Sequence, residues 1–330
     1  MRFSLFDRIR AIGVAAFVAF GLAACGSGDD DPVPVAQPKD IVDVAQENAD
    51  FSILVEAVVA ADLVATLKSD GPFTVFAPTN DAFAALLTEL GVTKDQLLAD
   101  KALLTQVLTY HVLGAKVEAA DVAGVLGKAV GTVEGGIFKI EDPAGELTIT
   151  DERNRSARIV ATDVAASNGV IHVIDRVILP GDKTVVDTAI AASTSASPEF
   201  TILVEALLAS DPSADLVNLL SGDGPFTVFA PTDAAFAALL TELGVSKAEL
   251  LADTALLTEV LKYHVVPGRV LKAEVPVGTP IATAQGQSFE VNGSQQIIDA
   301  RGRSSGIAAT DVLARNGVIH VIDTVILPAP

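Results

Sequence analysis

Gly71-Pro72-Phe73-Thr74-Val75-Phe76-Ala77-Pro78-Thr79-Asn80-Asp81-Ala82-Phe83 is written a second time, with two changes, at residues 224–236. The run Phe73–Phe76 is aromatic and β-branched and lies between a Gly-Pro and an Ala-Pro pair, which predicts a short buried strand. Pro78 has no N–H to give a ladder and ends it. Thr79, Asn80 or Asp81 can then accept the free N–H groups of a helix, as can Thr232 or Asp233 in the second copy, where Ala234 replaces Asp81. The helix itself is read from Phe83, Leu86, Leu87 and Leu90 at i, i+3, i+4, i+7 spacing, with Gly91 as its stop.

Outward from this stretch the doubling continues. Residues 71–113 and 224–266 share 34 of 43 positions at an offset of 153. Residues 162–180 and 310–328 share 16 of 19 at an offset of 148. Upstream, Phe51 to Ala57 matches Phe200 to Ala206 at an offset of 149. The shifts place a four-residue insertion near Ser210–Asp215 and a five-residue loss in the middle of the second copy. A period near 150 residues is far longer than a solenoid repeat, so each copy is a complete domain. Gly181-Asp182-Lys183 is all that separates them, which predicts a pair with little freedom. Thr93-x-x-Gln96 and Ser246-x-x-Glu249 read as capping boxes. Leu104, Val107 and Leu108, with Leu257, Val260 and Leu261, predict another helix per copy. Strand candidates are Ile137–Ile140, Leu147–Ile149, Arg158–Val160 and the run Val170–Leu179 behind the Asn168-Gly169 turn signal. Helices early and strands late predict an α+β fold with a mainly antiparallel sheet.

These residues also carry a resemblance. The block at Gly71–Phe83 is similar to the first signature of fasciclin-like domains, and Asn168-Gly169-Val170-Ile171-His172-Val173-Ile174-Asp175 to the second. Tyr110-His111 falls where that family keeps a Tyr-His pair. All three recur, as Gly224–Phe236, Tyr263-His264 and Asn316–Asp323. The resemblance spans residues 38–328. It implies two tandem wedges, each with helices packed on two small mainly antiparallel β-sheets, over 39–180 and 184–328. It also implies a role in extracellular adhesion or matrix interaction, with a protein or polysaccharide surface component as partner.

The front of the chain reads as an address. Arg2, Arg8 and Arg10 precede a charge-free apolar run from Ala11 to Ala24, too short for a bilayer and right for a signal-peptide core. It ends in Leu22-Ala23-Ala24-Cys25, which resembles a bacterial lipobox. That implies a leader over 1–24, lipid attachment at Cys25 and contact with a membrane through the acyl chains. Residues 25–38, with Asp29-Asp30-Asp31 and three prolines, read as a solvated tether. Gly26 after the cysteine resembles lipoproteins sent to an outer membrane, so the expected place is extracytoplasmic: outer membrane, cell surface or periplasmic face. Cys25 is the one cysteine of 330 residues, which excludes an internal disulfide and a Cys-rich zinc site.

The whole chain carries 22 Lys+Arg against 42 Asp+Glu, a net charge of −20. Residues 1–24 hold three Arg and one Asp, which leaves 19 against 41, or −22, for the remainder. Such a surface argues against nucleic acid, whose phosphates need clustered cations.

Four histidines stand at matching places: His111 and His172, His264 and His320. His172 and His320 lie inside apolar strand runs and read as structural polar groups that must find hydrogen-bond partners. Tyr110-His111 and Tyr263-His264 have two readings. The resemblance implies a contribution to partner binding; the residue chemistry allows the ring, hydroxyl and imidazole to hold a helix-to-strand junction. No metal-ligand spacing accompanies the histidines, and no Gly-x-Ser-x-Gly, His-Glu-x-x-His or P-loop pattern occurs, so neither metal, cofactor nor catalytic residue is expected. A small-molecule or saccharide-binding lipoprotein is the alternative to an adhesion module; a pocket lined by a few polar groups favours it.

Overall fold

The computed structural model describes residues 38–210 and 216–330. The expected leader, Cys25 and all of the tether before Pro38 lie outside the described residues, as does most of the expected insertion near 210–215.

The first copy runs α1 (Ile41–Glu47), α2 (Ser52–Ala60), α3 (Val64–Leu67), β1 (Phe73–Pro78), α4 (Asn80–Leu90), α5 (Lys94–Ala99), α6 (Lys101–Tyr110), β2 (Val112–Leu113), α7 (Ala119–Val122), β3 (Ala129–Gly131), β4 (Ile137–Glu141), β5 (Thr148–Thr150), β6 (Ser156–Ala166) and β7 (Gly169–Ile174). The second runs α8 (Val185–Ser193), α9 (Thr201–Ala209), α10 (Leu216–Ser221), β8 (Phe226–Pro231), α11 (Asp233–Leu243), α12 (Lys247–Ala252), α13 (Thr254–Tyr263), β9 (Val265–Pro267), β10 (Ile281–Ala282), β11 (Ser288–Val291), β12 (Gln296–Ile298), β13 (Ser304–Ala314) and β14 (Gly317–Ile322). The expected α+β class holds in both.

Strand order is β2-β1-β7-β6-β5-β4-β3 in the first copy and its mirror in sequence terms, β10-β11-β12-β13-β14-β8-β9, in the second. Only β1–β7 and β8–β14 pair parallel within these sheets; the other named pairs are antiparallel. The two small sheets expected in each copy are joined by one long strand, β6 or β13. Its first half pairs with β5 or β12, and its second half with β7 or β14. Register shifts around Ala161 and Ala309 bend these strands, as bulges do.

β7 stops at Ile174, short of the Leu179 expected from the apolar run, because Asp175 turns out to bind back on β6: its carboxylate accepts from Arg158 N–H at 2.8 Å. The central strands are covered on both faces. Helices α1, α2, α4 and α6 bury Leu54, Phe83, Leu104 and Val107 against one side, with Ile171. Phe76, Phe138, Ile140, Ile149 and Ile174 fill the other. That double cover is why β7 reads as an unbroken apolar run.

The local signals resolve as chemistry. Thr79 and Thr232 are the helix caps, accepting from Ala82 and Ala235 N–H at 3.2 and 3.1 Å. Gly91 ends α4 in the left-handed region at φ 66°. Both capping boxes form, at Thr93–Gln96 and Ser246–Glu249. The two signature blocks meet. Gly71 has φ 67°, and a Cβ there would stand 2.2 Å from the Asn168 carbonyl oxygen, which accepts from Phe73 N–H at 3.0 Å. The Asn168 amide does more than mark a turn: it ties the start of α1 to the end of α3. Oδ1 accepts from Ile41 N–H at 3.0 Å, while Nδ2 donates to the Leu67 and Ser69 carbonyls at 2.7 and 2.8 Å. Asn316 repeats this with Val185, Leu220 and Gly222.

The two copies touch along a seam. Ile137 of β4 packs with Leu271, Leu313 and Val318 of the second copy. Asn154 and Leu313 exchange two hydrogen bonds, at 2.9 and 2.7 Å. Lys139 pairs with Asp311 at 3.2 Å and Arg269 with Glu152 at 3.4 Å.

Candidate functional site

The six singled-out aromatic and imidazole side chains lie in the interior, where each copy uses them alike. Tyr110 and Tyr263 end α6 and α13 with 0% of their surface exposed. The Tyr110 hydroxyl donates to the Ile137 carbonyl and accepts from Glu152 N–H at 3.1 Å. Tyr263 donates to the Ser288 carbonyl at 2.9 Å and accepts from Ala300 N–H at 3.0 Å. Each phenol therefore ties the start of a strand to the turn before β6 or β13. Burial foremost, then the charge of Glu152, pushes the Tyr110 phenol well above its ordinary pKa, so it remains a donor.

His111 Nδ1 lies 2.7 Å from the Val107 carbonyl, and its Nε2 3.1 Å from Ile178 N–H. A carbonyl only accepts and an amide N–H only donates, so the partners assign a neutral ring protonated on Nδ1. His264 is held identically, by Val260 at 2.7 Å and Ile326 at 3.2 Å. Burial, disfavouring the imidazolium, lowers both to about 4. These rings clamp the segment after β7 or β14 to the end of the preceding helix.

His172 and His320 are the opposite tautomer. Nε2 donates to the Val117 or Val270 carbonyl at 2.8 and 2.9 Å, and Nδ1 accepts from Asp163 or Asp311 N–H at 3.3 Å in both. Burial also lowers the pKa of His320. Asp163 and Asp311 sit at the strand bulge with φ 59°, a left-handed conformation that Asp tolerates better than most residues. Both ring nitrogens of His172 and of His320 are thus engaged inside the core. The expectation of partner contact through Tyr110-His111 and Tyr263-His264 meets a physical obstacle: rings with at most 2% exposure present no face to a macromolecule. Their hydrogen bonds are those of a junction. Among the described residues no group of three His, Cys, Asp or Glu side chains could hold a metal ion.

Sequence reading missed the seam. Lys139, Glu152 and Asn154 were only parts of a strand and a charged loop. Glu152 accepts from Ile137 and Gly181 N–H at 3.1 and 3.0 Å, and burial, despite those bonds, raises its pKa. Asp151, its neighbour, gathers Arg153, Arg155 and Leu179 N–H groups. A signal existed in the comparison of the copies. Strand register matches Lys139 with Glu290, and the tyrosine bonds match Glu152 with Ala300. The interface groups of the first copy are those the second has lost.

The Fasciclin domain pattern matches residues 49–180 and 198–328. Protein sll1483 of Synechocystis is 50% identical over 146 residues, 42% of this chain and 73% of that protein. Transforming growth factor-beta-induced protein ig-h3 of Sus scrofa is 28% identical over 263 residues, which are 79% of this chain but 35% of the relative. Immunogenic protein MPB70 of Mycobacterium bovis is 37% identical over 140 residues, 42% of this chain and 68% of that one. Among solved structures, a FAS1 domain pair from the insect cell adhesion molecule Fasciclin I aligns with a TM-score of 0.40 at 19% identity, covering 85% of this chain and 98% of that chain.

Proposed function

The chain belongs to the fasciclin domain family through both of its copies, a family with adhesion and interaction roles, and from that premise we propose that it is a non-enzymatic, lipid-anchored extracytoplasmic protein that holds a surface or matrix partner. The observation that carries this reading is the seam. Lys139–Asp311, the paired Asn154–Leu313 bonds and the buried Ile137, Leu271 and Leu313 join the two domains into one compact body. Two domains held together present two related surfaces at a fixed spacing, which raises the effective concentration for a partner with repeated features, such as a polymer or another cell's surface. The Tyr-His pairs serve that body from within, by setting the strands and turns that carry the outer surface.

The anchor is Cys25, proposed from Leu22-Ala23-Ala24-Cys25 with the leader 1–24 before it and the tether 25–38 behind it. No helix among the described residues is long and apolar enough to cross a membrane. A net charge of −22 beyond the leader keeps the folded part off anionic headgroups, so the acyl chains make the membrane contact.

A strain deleted for the protein is expected to attach less to surfaces and to its neighbours, with attachment restored by the intact gene but less well by one carrying Cys25→Ser. Normal attachment and biofilm in the deletion strain would remove the adhesion reading. Intact-mass measurement of the membrane fraction decides the anchor separately.

A further inference from the structure

The five-residue loss in the second copy divides into two losses that border one cleft. Ala119 and Lys272 both donate their backbone N–H to the bulge aspartate, Asp163 or Asp311, at 2.9 and 2.7 Å, and lie 153 positions apart. Gly127 and Gly278 both donate to the strand carbonyl beside them, Ile140 or Val291, at 2.8 Å, and lie 151 apart. Thr148 pairs with Arg158 as Gln296 pairs with Gly306, 148 apart. Two residues are therefore missing before β10 and three from the hairpin between β11 and β12. In the first copy the same region is filled. Val122 is buried, Val125, Leu126 and Leu147 pack on the core around Phe138 and Ile140, and Arg158 pairs with Asp175 at 2.8 Å.

The shortened segments leave an opening of about 280 Å³, against about 40 and 50 Å³ for the gaps under the helices of the two copies. Lys272, Val275 and Val277 line it from the first shortened segment, and Ser294, Gln295 and Gln296 from the second. Gly306, Ile307 and Thr310 of β13, with Val291 and His320, complete it. Val277, the counterpart of packed Leu126, is 55% exposed. Gln295 precedes the paired Gln296 where Leu147 precedes Thr148, and Gly306 replaces Arg158. Lys272 stands where the first copy has Ala119. Space, amides and a cation are gained together in one place.

We propose that this cleft of the second domain binds a small amphiphilic carboxylate, with the carboxylate on Lys272 and an alkyl or aryl body on Val275, Val277, Val291 and Ile307. Lys272 is the one charged residue lining the cleft, and its ammonium makes no ion pair or hydrogen bond among the described residues. A dianion needs more than this single cation. A saccharide is a poorer fit, because no Phe or Tyr lines the cleft to stack a sugar face and both His320 ring nitrogens are already engaged. The volume suits such a ligand: an apolar cavity of roughly 150 Å³ accepts benzene. The site is independent of the adhesion reading.

The full chain is titrated with sodium hexanoate, and with hexanamide as the uncharged control, by saturation-transfer NMR and calorimetry. Hexanoate is expected to bind in the millimolar range and roughly two- to fivefold tighter than hexanamide, the gain of a rim-exposed ion pair. Lys272→Met should reduce hexanoate to the hexanamide level, and Gly306→Arg, which restores the residue of the first copy, should abolish both. Thermal unfolding checks that the variants fold; if Gly306→Arg does not, Lys272→Met at the exposed rim still decides. Absence of hexanoate binding, equal affinity for the amide, or undiminished binding by Lys272→Met overturns the proposal.

Discussion

Lys139 of the first domain reaches Asp311 of the second at 3.2 Å, with 8% and 6% of the two side chains exposed. Asp311 is at the same time the bulge residue that caps Lys272 N–H at 2.7 Å and donates its own N–H to His320. Its counterpart Asp163 makes the same local bonds, to Ala119 and His172, and is exposed. One local motif thus serves as free surface in the first copy and as a docking point in the second.

Removing Lys139 leaves a carboxylate buried without its cation, which costs on the order of 3 kcal/mol. Lys139→Met should therefore lower the denaturant midpoint sharply, whereas Lys139→Met with Asp311→Asn should regain much of the loss. Equal loss in the single and double variants would mean that the pair contributes nothing specific. Small-angle scattering should show the single variant more extended, since the seam keeps Arg269–Glu152 but loses the Lys139–Asp311 pair.

Gly71 is legible in the sequence as a turn signal before β1, but what holds it to glycine is the Asn168 carbonyl from the other signature block. With φ 67° and a would-be Cβ 2.2 Å from the Asn168 carbonyl oxygen, Gly71→Ala should cost on the order of 3 kcal/mol or more, or prevent folding. Gly224→Ala should do the same against Asn316, where the distance is also 2.2 Å. Gly135→Ala is the control. Its φ of 108° strains a side chain, but nothing lies within 4 Å of the added carbon, so the loss should be smaller. Circular dichroism melts of the three variants check the order.

Helix caps and helix stops are written within a few residues of where they act, so composition and spacing expose them; the close approach of Gly71 to Asn168 and the end of β7 at Ile174 depend on chain brought in from elsewhere. Nor is the seam written locally. Lys139 and Asp311 are 172 residues apart, and each looks like an ordinary surface charge until the copies are docked. The Tyr-His pairs show a different limit. Their position at the end of a helical stripe was readable, but whether that end points outward depends on β3–β6 folding over it. The five-residue loss was readable as a number; that its two parts face one cleft required the strand register.

Tyr110→Phe leaves the Ile137 carbonyl and Glu152 N–H without their partner inside the core, and should cost about 1–3 kcal/mol. Tyr263→Phe, which orphans Ser288 and Ala300, should cost less, because Glu152 also carries the seam through Gly181 and Arg269. Urea unfolding gives both values. If either variant instead weakens partner attachment with unchanged stability, the junction role of the pair is wrong.

His111 and His264 set the acid limit of the fold. In the unfolded chain each titrates near 6.5, and in the folded protein at about 4. Between those values the unfolded state binds more protons, so stability is full above pH 6.5 and falls as pH drops toward 4. A shift of this size corresponds to about 3 kcal/mol per histidine at the acid end. Buried Glu152 opposes this: its raised pKa means that the folded state takes up its proton more readily, which adds stability as pH falls through that range. The loss that His111 and His264 impose on acidification is reinforced by His320, whose pKa burial also lowers. Urea midpoints taken from pH 7.5 down to 4.5 should decline, and His111→Gln, though less stable at pH 7.5, should decline less steeply. A slope identical to that of the unaltered protein would show that His111 does not stay neutral in the folded state.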